Sequence, residues 1–91
     1  MAEDVQDNPD EGRFELKVEG QTSYVYYEIR PGIITLTHTD VPLVMSGKGV
    51  GSRLIKGTLD LVRARGLKVV AECPFVAAYV ARHKEYADLL A

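Results

Sequence analysis

The 91-residue sequence has one cysteine, no tryptophan and no long apolar segment. A single cysteine cannot form an internal disulfide, so the fold must be stable as a reduced protein, which is typical of the cytoplasm. The longest uncharged stretch in the C-terminal half covers residues 73–81, whereas a membrane helix needs about 20 residues. The N-terminus is acidic and has no hydrophobic signal segment. We therefore expect one small cytoplasmic domain without a membrane-spanning segment.

Acidic residues are concentrated at the start of the chain. Five of the 13 acidic residues lie among the first dozen positions, which also contain Pro9 and Gly12. Such a polar segment buries too little apolar surface to offset its ordering entropy, so we predict a disordered tail over residues 1–12 and one compact domain over residues 13–91. Without the tail the formal charge is +3. A mildly cationic domain does not indicate nucleic-acid binding, but it is compatible with a small phosphate-bearing ligand.

Three segments after the tail are typical of strands, either by alternation of apolar and polar residues or by β-branched and aromatic content. They cover residues 13–19, 22–30 and 33–39, with turn residues between them. Short glycine-containing turns predict an antiparallel meander. Alternation along the third strand places Ile34, Leu36 and His38 on one face, which predicts that His38 points toward the core side.

The apolar period changes in the second half of the chain. Apolar residues from Val50 to Val62 recur at helical spacing, and Gly66 stands where a helix C-cap is common. A short strand over residues 67–72 and a helical segment over residues 75–82 follow, with a further helical turn near residues 85–90. The predicted α+β fold has three antiparallel strands and then α-β-α. Its last strand lies parallel to the third through a right-handed crossover.

A glycine-rich loop, residues 46–52 with the sequence SGKGVGS, joins the third strand to the long helix. Glycines allow backbone N–H groups to converge on a ligand, and the helix adds the positive end of its dipole, so the loop is a candidate phosphate site. The spacing is not that of a P-loop, and a flexible loop without a ligand is the alternative. The residues predicted to hold the anion are Gly47, Lys48, Gly49, Val50, Gly51, Ser52 and Arg53.

This arrangement resembles the core of the GCN5-related N-acetyltransferase superfamily, whose glycine motif has the form Gln/Arg-x-x-Gly-x-Gly/Ala. Gly49 and Gly51 match the motif glycines, whereas Ser46 stands where glutamine or arginine is usual. The departure affects one side-chain contact, because backbone amides hold most of the pyrophosphate in that superfamily.

Four segments of the chain are also similar to a family of very short, stand-alone acetyltransferases. They are HTDVP at residues 38–42, GKGVGS at 47–52, CPFVAAY at 73–79 and RHKEY at 82–86. The resemblance covers almost the whole predicted domain. It implies a minimal acyl-CoA N-acyltransferase fold that binds acetyl-CoA through the glycine loop.

The resemblance also implies where the chemistry takes place. In the superfamily the thioester enters a gap between two parallel strands, here the strands that end at Val41 and Glu72. Cys73 would lie at the mouth of this gap as a general acid for the CoA thiolate, as a nucleophile, or simply as a small buried residue. His38 is either a base for the thiol or the amine, or an exposed strand histidine. Tyr79 is an alternative proton donor, or an ordinary core residue.

The function that the resemblance implies is an acetyl-CoA-dependent N-acetyltransferase acting on an unidentified primary amine. The acceptor is a protein lysine, a protein N-terminus or a small amine, and the alternative is a module that binds CoA or acetyl-CoA without turnover. The histidines and the cysteine have no metal-ligand spacing, so no metal site is predicted. The expected partners are acetyl-CoA and the amine, with no nucleic acid and no membrane, and the chain is expected to be a monomer or a weak homodimer.

Overall fold

The computed structural model describes residues 5–91, which form one five-stranded sheet, two α-helices and two 3-10 segments. The elements are β1 (Gln6–Asn8), β2 (Arg13–Val18), β3 (Gln21–Arg30), β4 (Ile33–Asp40), a 3-10 turn at Leu43–Met45, α1 (Val50–Ala64), β5 (Lys68–Ala71), α2 (Pro74–Arg82) and a 3-10 segment at Lys84–Leu89. The strands lie in the sheet in chain order. Neighbours from β1 to β4 are antiparallel, and β4 and β5 are parallel. The predicted α+β class and the parallel last strand are confirmed.

The two faces of the sheet differ in burial. One face, here called the helix-covered face, carries Phe14, Leu16, Val25 and Leu36, each 0% exposed, and these side chains share one core cluster with residues of both helices. The other face, here called the open face, carries the half-buried or exposed residues that alternate with these positions along the strands. The residues of the open face used below are Arg13, Glu15, Lys17, Thr22, Tyr24, Tyr26, Glu28, Arg30, His38 and Asp40.

A β-bulge at Thr37 changes which residues of β4 face the core. Tyr27 of β3 is opposite Leu36, whereas Tyr26 is opposite His38, so Thr37 has no partner on β3. An extra residue of this kind reverses the side-chain alternation that follows it. The prediction that His38 points toward the core side is therefore wrong: His38 is exposed on the open face and stacks on Tyr26, with 5.8 Å between ring centroids.

The predicted disordered tail is wrong for residues 5–12, and its first four residues lie outside the described part of the chain. β1 extends the sheet by pairing with β2, and Val5 is only 7% exposed. The Asp7 carboxylate accepts a hydrogen bond from the Tyr27 hydroxyl (2.7 Å) and one from the Arg65 guanidinium. Burial and this contact with Asp7 raise the pKa of Tyr27 to about 12. Composition alone predicts disorder here because it counts Asp7 as a solvated charge, whereas in the fold the Asp7 carboxylate has two hydrogen-bond partners.

Within residues 5–91, no helix combines the length and the apolar composition required to cross a lipid bilayer.

Two hydroxyl groups in the core of the described chain, those of Ser23 and Thr58, have no hydrogen-bond partner. Both residues are 0% exposed, so each hydroxyl has lost its water without gaining a protein partner. We expect Thr58→Val, which keeps the shape and removes the polar atom, to raise the free energy of unfolding by about 1 kcal/mol. Urea denaturation measures the change. Thr58→Ala is the control, since it removes the same hydroxyl but leaves a cavity, and a destabilised valine variant would contradict the prediction.

Candidate functional site

β4 and β5 separate at one end of the sheet. Their pairing stops at Leu36 and Ala71, and the Leu36 carbonyl accepts hydrogen bonds from the backbone N–H groups of both Glu72 (3.1 Å) and Cys73 (3.0 Å). Beyond this point β4 continues to Asp40 without a β5 partner. The resulting gap, here called the strand opening, lies where the sequence predicted it, between the end of β4 and the start of α2.

Cys73 lies at the strand opening as the N-cap residue of α2, with 5% of its surface exposed. Its Sγ atom is 3.2 Å from Oγ1 of Thr39. Burial raises the pKa of the thiol, but hydrogen bonds from the Thr39 side chain and from the backbone of Val76, Phe75 and Thr39 outweigh it, so the pKa is lower than the ordinary value of 9.0. The position of Cys73 at the start of α2 also favours the thiolate, because the positive end of the helix dipole lies there.

His38 and Cys73 reach the strand opening from different sides of the sheet. Thr39, the partner of Cys73, is opposite Val25 and belongs to the helix-covered face, whereas His38 is on the open face beside Tyr26. The hydrogen-bond partner of the thiol is therefore Thr39 and not the imidazole.

Tyr79 is placed in the core of the described chain. Its side chain is 4% exposed, and its ring stacks on His83 at 3.9 Å between centroids and lies 6.1 Å from the ring of Tyr86. The Nδ1 atom of His83 is 2.9 Å from the Tyr79 carbonyl oxygen, so this histidine caps the end of α2. The contacts of the ring fit the core interpretation of Tyr79, and its role as a proton donor stays a prediction.

The glycine loop forms the start of α1. Gly47 and Gly49 have φ angles of 80° and 74°, a left-handed conformation that favours glycine, and Gly49 is the N-cap. Among residues 5–91 no side chain caps α1, and the first turn of this helix contains no acidic residue, so its first N–H groups and the positive end of its dipole face the loop. The side chain of Val50 is 2% exposed in the core, which leaves only its backbone available to a ligand.

A cleft of about 290 Å3 opens beside this loop. Lys48, a predicted phosphate contact, lies 3.8 Å from Glu19 in an exposed ion pair, so its ammonium group is directed toward the β2–β3 turn. Ser52 and Arg53 are exposed in the first turn of α1. The residues lining the cleft are Val41, Pro42, Leu43, Met45, Ser46, Gly47, Gly49, Val50, Gly51, Ser52 and Phe75.

Gly51 has a different role from the other loop glycines. It is helical, and a Cβ atom at this position would lie 2.5 Å from Cζ of Phe75, so the residue allows the Phe75 ring to pack between α1 and α2. Phe75 and Thr39 lie in the motif segments, but neither residue was predicted to take part in the site. The periodicity and spacing of the sequence could not identify these two residues. Phe75 acts through a contact between two helices, and Thr39 faces Cys73 because of the bulge in β4.

We expect Gly51→Ala to weaken CoA binding by about tenfold, equivalent to about 1.4 kcal/mol. The added methyl group displaces the Phe75 ring, which is 40% exposed and forms one wall of the cleft. Isothermal titration calorimetry measures the affinity. The double variant Gly51→Ala/Phe75→Leu is the control, because the smaller side chain leaves room for the methyl group and restores part of the affinity. Equal affinities of the wild type and Gly51→Ala would contradict the prediction.

Comparisons with known proteins identify the family of this chain. A family model described as GCN5-related N-acetyl-transferase matches residues 13–89. The proteins called NATD1 of Gallus gallus, Mus musculus and Homo sapiens are 34% identical over 56 residues, which is 62% of this chain. The match spans about half the length of these relatives, 51% for the first two and 50% for the human protein.

A solved structure has the same fold. The NMR solution structure of a GCN5-like protein from Staphylococcus aureus superimposes with a TM-score of 0.72 at 24% identity, over 98% of this chain and 88% of the other. The family match covers most of the chain, and the glycine loop at the start of α1 lies within it. The protein therefore belongs to the GCN5-related N-acetyltransferase family.

Proposed function

We propose that this protein is an acetyl-CoA-dependent N-acetyltransferase that transfers the acetyl group to a primary amine. Family membership supports acyl transfer. The observation that carries the rest is the strand opening, which has the uncapped start of α1 and its cleft near one end and the Cys73 thiol at its edge.

The residues present fit the phosphates of coenzyme A. Backbone N–H groups at the start of α1 have no capping side chain from the described part of the chain, and the two left-handed glycines expose the loop backbone to a ligand. Phe75 and the segment Val41–Pro42 give the cleft an apolar wall for the chain that links the phosphates to the thioester. We propose that Lys48 exchanges its weak surface pair with Glu19 for a phosphate when the cofactor binds.

When bound, acetyl-CoA supplies an activated acetyl thioester. The amine nitrogen forms a bond to the acetyl carbon, and the bond from that carbon to sulfur breaks. We assign His38 as the base that accepts a proton from the amine, and Cys73 as the acid whose thiol proton passes to the departing sulfur. We assign the backbone N–H of Thr39, which faces the thiol, as the donor to the thioester carbonyl oxygen.

The placement of the two candidate catalytic residues favours direct transfer over an acetyl-cysteine. A base within hydrogen-bond reach activates many cysteine nucleophiles, whereas the partner of Cys73 is the Thr39 hydroxyl, which is not a base at neutral pH. An acid on the helix-covered side can protonate the departing sulfur while a base on the open side accepts the proton of the amine, so the two residues can act in one direct transfer step. The lowered pKa makes the thiol a better proton donor.

Calorimetry with CoA and an acetylation assay with acetyl-CoA test the function together. The key variant is Gly49→Ala, whose methyl group strains a left-handed residue at the cleft. We expect it to weaken CoA binding by about tenfold. Its matched control is Gly66→Ala at the other end of α1, where φ is also left-handed, at +71°, and the methyl group meets no neighbour. Absence of CoA binding by the wild type would overturn the proposal, and binding without transfer to any amine would favour the CoA-binding module.

A further inference from the structure

A row of rings crosses the open face and ends at the strand opening. The ring centroids of Tyr24 and Tyr26 are 6.0 Å apart, and that of His38 follows at 5.8 Å. The Arg13 guanidinium lies 4.1 Å from the centroid of Tyr24, while its Nε donates to the Glu15 carboxylate at 2.8 Å. The Arg13 guanidinium thus already lies over the face of the Tyr24 ring, and the Glu15 carboxylate neutralises its charge.

Carboxylates without a basic partner among residues 5–91 lie on both sides of the Tyr26–His38 pair. Glu28 and Asp40 lie on this face at positions opposite Thr35 and Tyr24, and Glu72 follows β5 directly at the opening. All three are exposed, and none forms an ion pair with another residue in the range 5–91. Two basic residues of this face lie at the ends of their strands, Lys17 opposite Thr22 and Arg30 opposite Ile33. The third, Arg13, is opposite Tyr26 and is paired with Glu15.

We propose that the open face around Tyr26, His38 and Asp40 is the acceptor site, and that its occupant is a lysine side chain in an extended, basic polypeptide segment. This inference rests on the proposed acetyl transfer and adds the side of approach and the class of acceptor. We call this surface the acceptor face.

The side from which the acceptor amine approaches follows from what occupies the helix-covered side of the sheet. On the helix-covered side, the start of α2 and the Phe75 ring stand beside the opening, and the cleft assigned to the cofactor lies there. With the cofactor in that cleft, we expect the amine to approach the opening from the open face, where the His38 imidazole is exposed. A lysine arrives as an ammonium ion, which aromatic faces and carboxylates both stabilise before His38 takes the proton.

The extent of the surface favours a polypeptide over a small amine. Past Tyr24 the open face continues into a shallow cavity of about 470 Å3, lined by Gln6, Glu15, Lys17 and Thr22. Strands lie about 4.8 Å apart, so the surface from β4 to β1 is about 15 Å across. An extended segment of about five residues spans that distance, whereas a small amine would contact only the part next to His38. The carboxylates of Glu28, Asp40 and Glu72 make basic flanking residues the complementary choice.

The test compares two nonapeptides with blocked ends and a single central lysine, one flanked by arginines and one by glutamates, with spermidine as the small-amine probe. We expect the full-length protein with acetyl-CoA to favour the arginine-flanked peptide by at least about tenfold in kcat/KM. In Glu28→Gln/Asp40→Asn the preference should fall to about two- to threefold, through a higher KM. The charge-matched control Glu11→Gln/Glu85→Gln, two exposed residues outside the acceptor face, should retain the full preference.

The outcomes separate this inference from the proposed function. A preference that survives in Glu28→Gln/Asp40→Asn, or efficient acetylation of spermidine with neither peptide used, would overturn the acceptor face while the acetyltransferase activity stands. CoA binding by calorimetry with no acetylation of any of the three amines would overturn both. Melting temperatures of the two double variants confirm that the exposed substitutions leave the fold intact.

Discussion

Cys73→Ala is expected to lower kcat for acetyl transfer by about 10²- to 10³-fold, the range that loss of a general acid produces. The affinity for CoA should stay within about twofold of the wild type, because the cleft is formed by the glycine loop, residues 41–45 and Phe75, and Cys73 is outside this set. A stopped assay with acetyl-CoA and a lysine peptide measures the first quantity, and calorimetry measures the second.

Intact mass spectrometry after incubation with acetyl-CoA alone separates the two chemical roles of Cys73. We expect no acetyl adduct on this residue, since the thiol has Thr39 and not His38 as its partner. Cys73→Ser is the conservative control: it keeps a hydroxyl in place of the thiol but is a far weaker acid, so its rate should resemble that of the alanine variant. An acetyl adduct that disappears in Cys73→Ala would replace direct transfer with a covalent intermediate.

The pH dependence of this reaction should show a descending limb that belongs to Cys73. An acid acts only while protonated, and the pKa of this thiol is lower than 9.0, so activity should fall as pH rises through a value lower than 9.0. Thr39→Val removes one of the hydrogen bonds that lower this pKa and should move the limb to higher pH, whereas Thr39→Ser should leave it in place. The pH dependence of iodoacetamide alkylation of the free protein reports the same thiol independently of catalysis.

Deletion of residues 1–12 is expected to have the largest effect on stability. It removes the buried Val5, the β1–β2 pairing and the Asp7 carboxylate with its two partners, which together are expected to contribute about 3–5 kcal/mol. Each kcal/mol shifts the melting temperature of a domain this size by about 4–8 °C, so scanning calorimetry should show a decrease of at least about 12 °C.

Charge-matched substitutions distinguish the lost structure from a change in net charge. Asp10→Asn/Glu11→Gln removes two negative charges from exposed positions of the same segment and should leave the melting temperature almost unchanged. Asp7→Asn alone should reproduce part of the loss. A deletion variant as stable as the wild type would contradict the structural role of β1 and restore the interpretation of this segment as a tail.

Much of the fold could be predicted because local patterns determine it. The alternation in β2, the β-branched and aromatic content of β3 and β4 and the helical spacing in α1 set the element types, and glycine turns set the antiparallel order. The glycine loop at the start of α1 and Cys73 at the end of β5 could also be predicted, because chain connectivity places both next to the point where β4 and β5 part.

Two features depend on contacts between residues that are distant in the chain. β1 could not be predicted from its acidic composition, because the partners of Asp7 are Tyr27 and Arg65. Gly51 matches a family motif, but its close contact is with Phe75 of another helix, and no spacing in the sequence encodes that contact.

The bulge at Thr37 is visible only in the folded protein, where β4 is paired with β3. Alternation is a local rule, and one unpaired residue reverses it; whether a strand bulges depends on the partner strand. The amino-acid sequence was sufficient to place His38 near the end of β4 and Cys73 directly after β5, beside the same gap between the two strands. The bulge decided that Thr39 turns to the thiol and His38 to the open face, because it shifts the register of β4 against β3 by one residue.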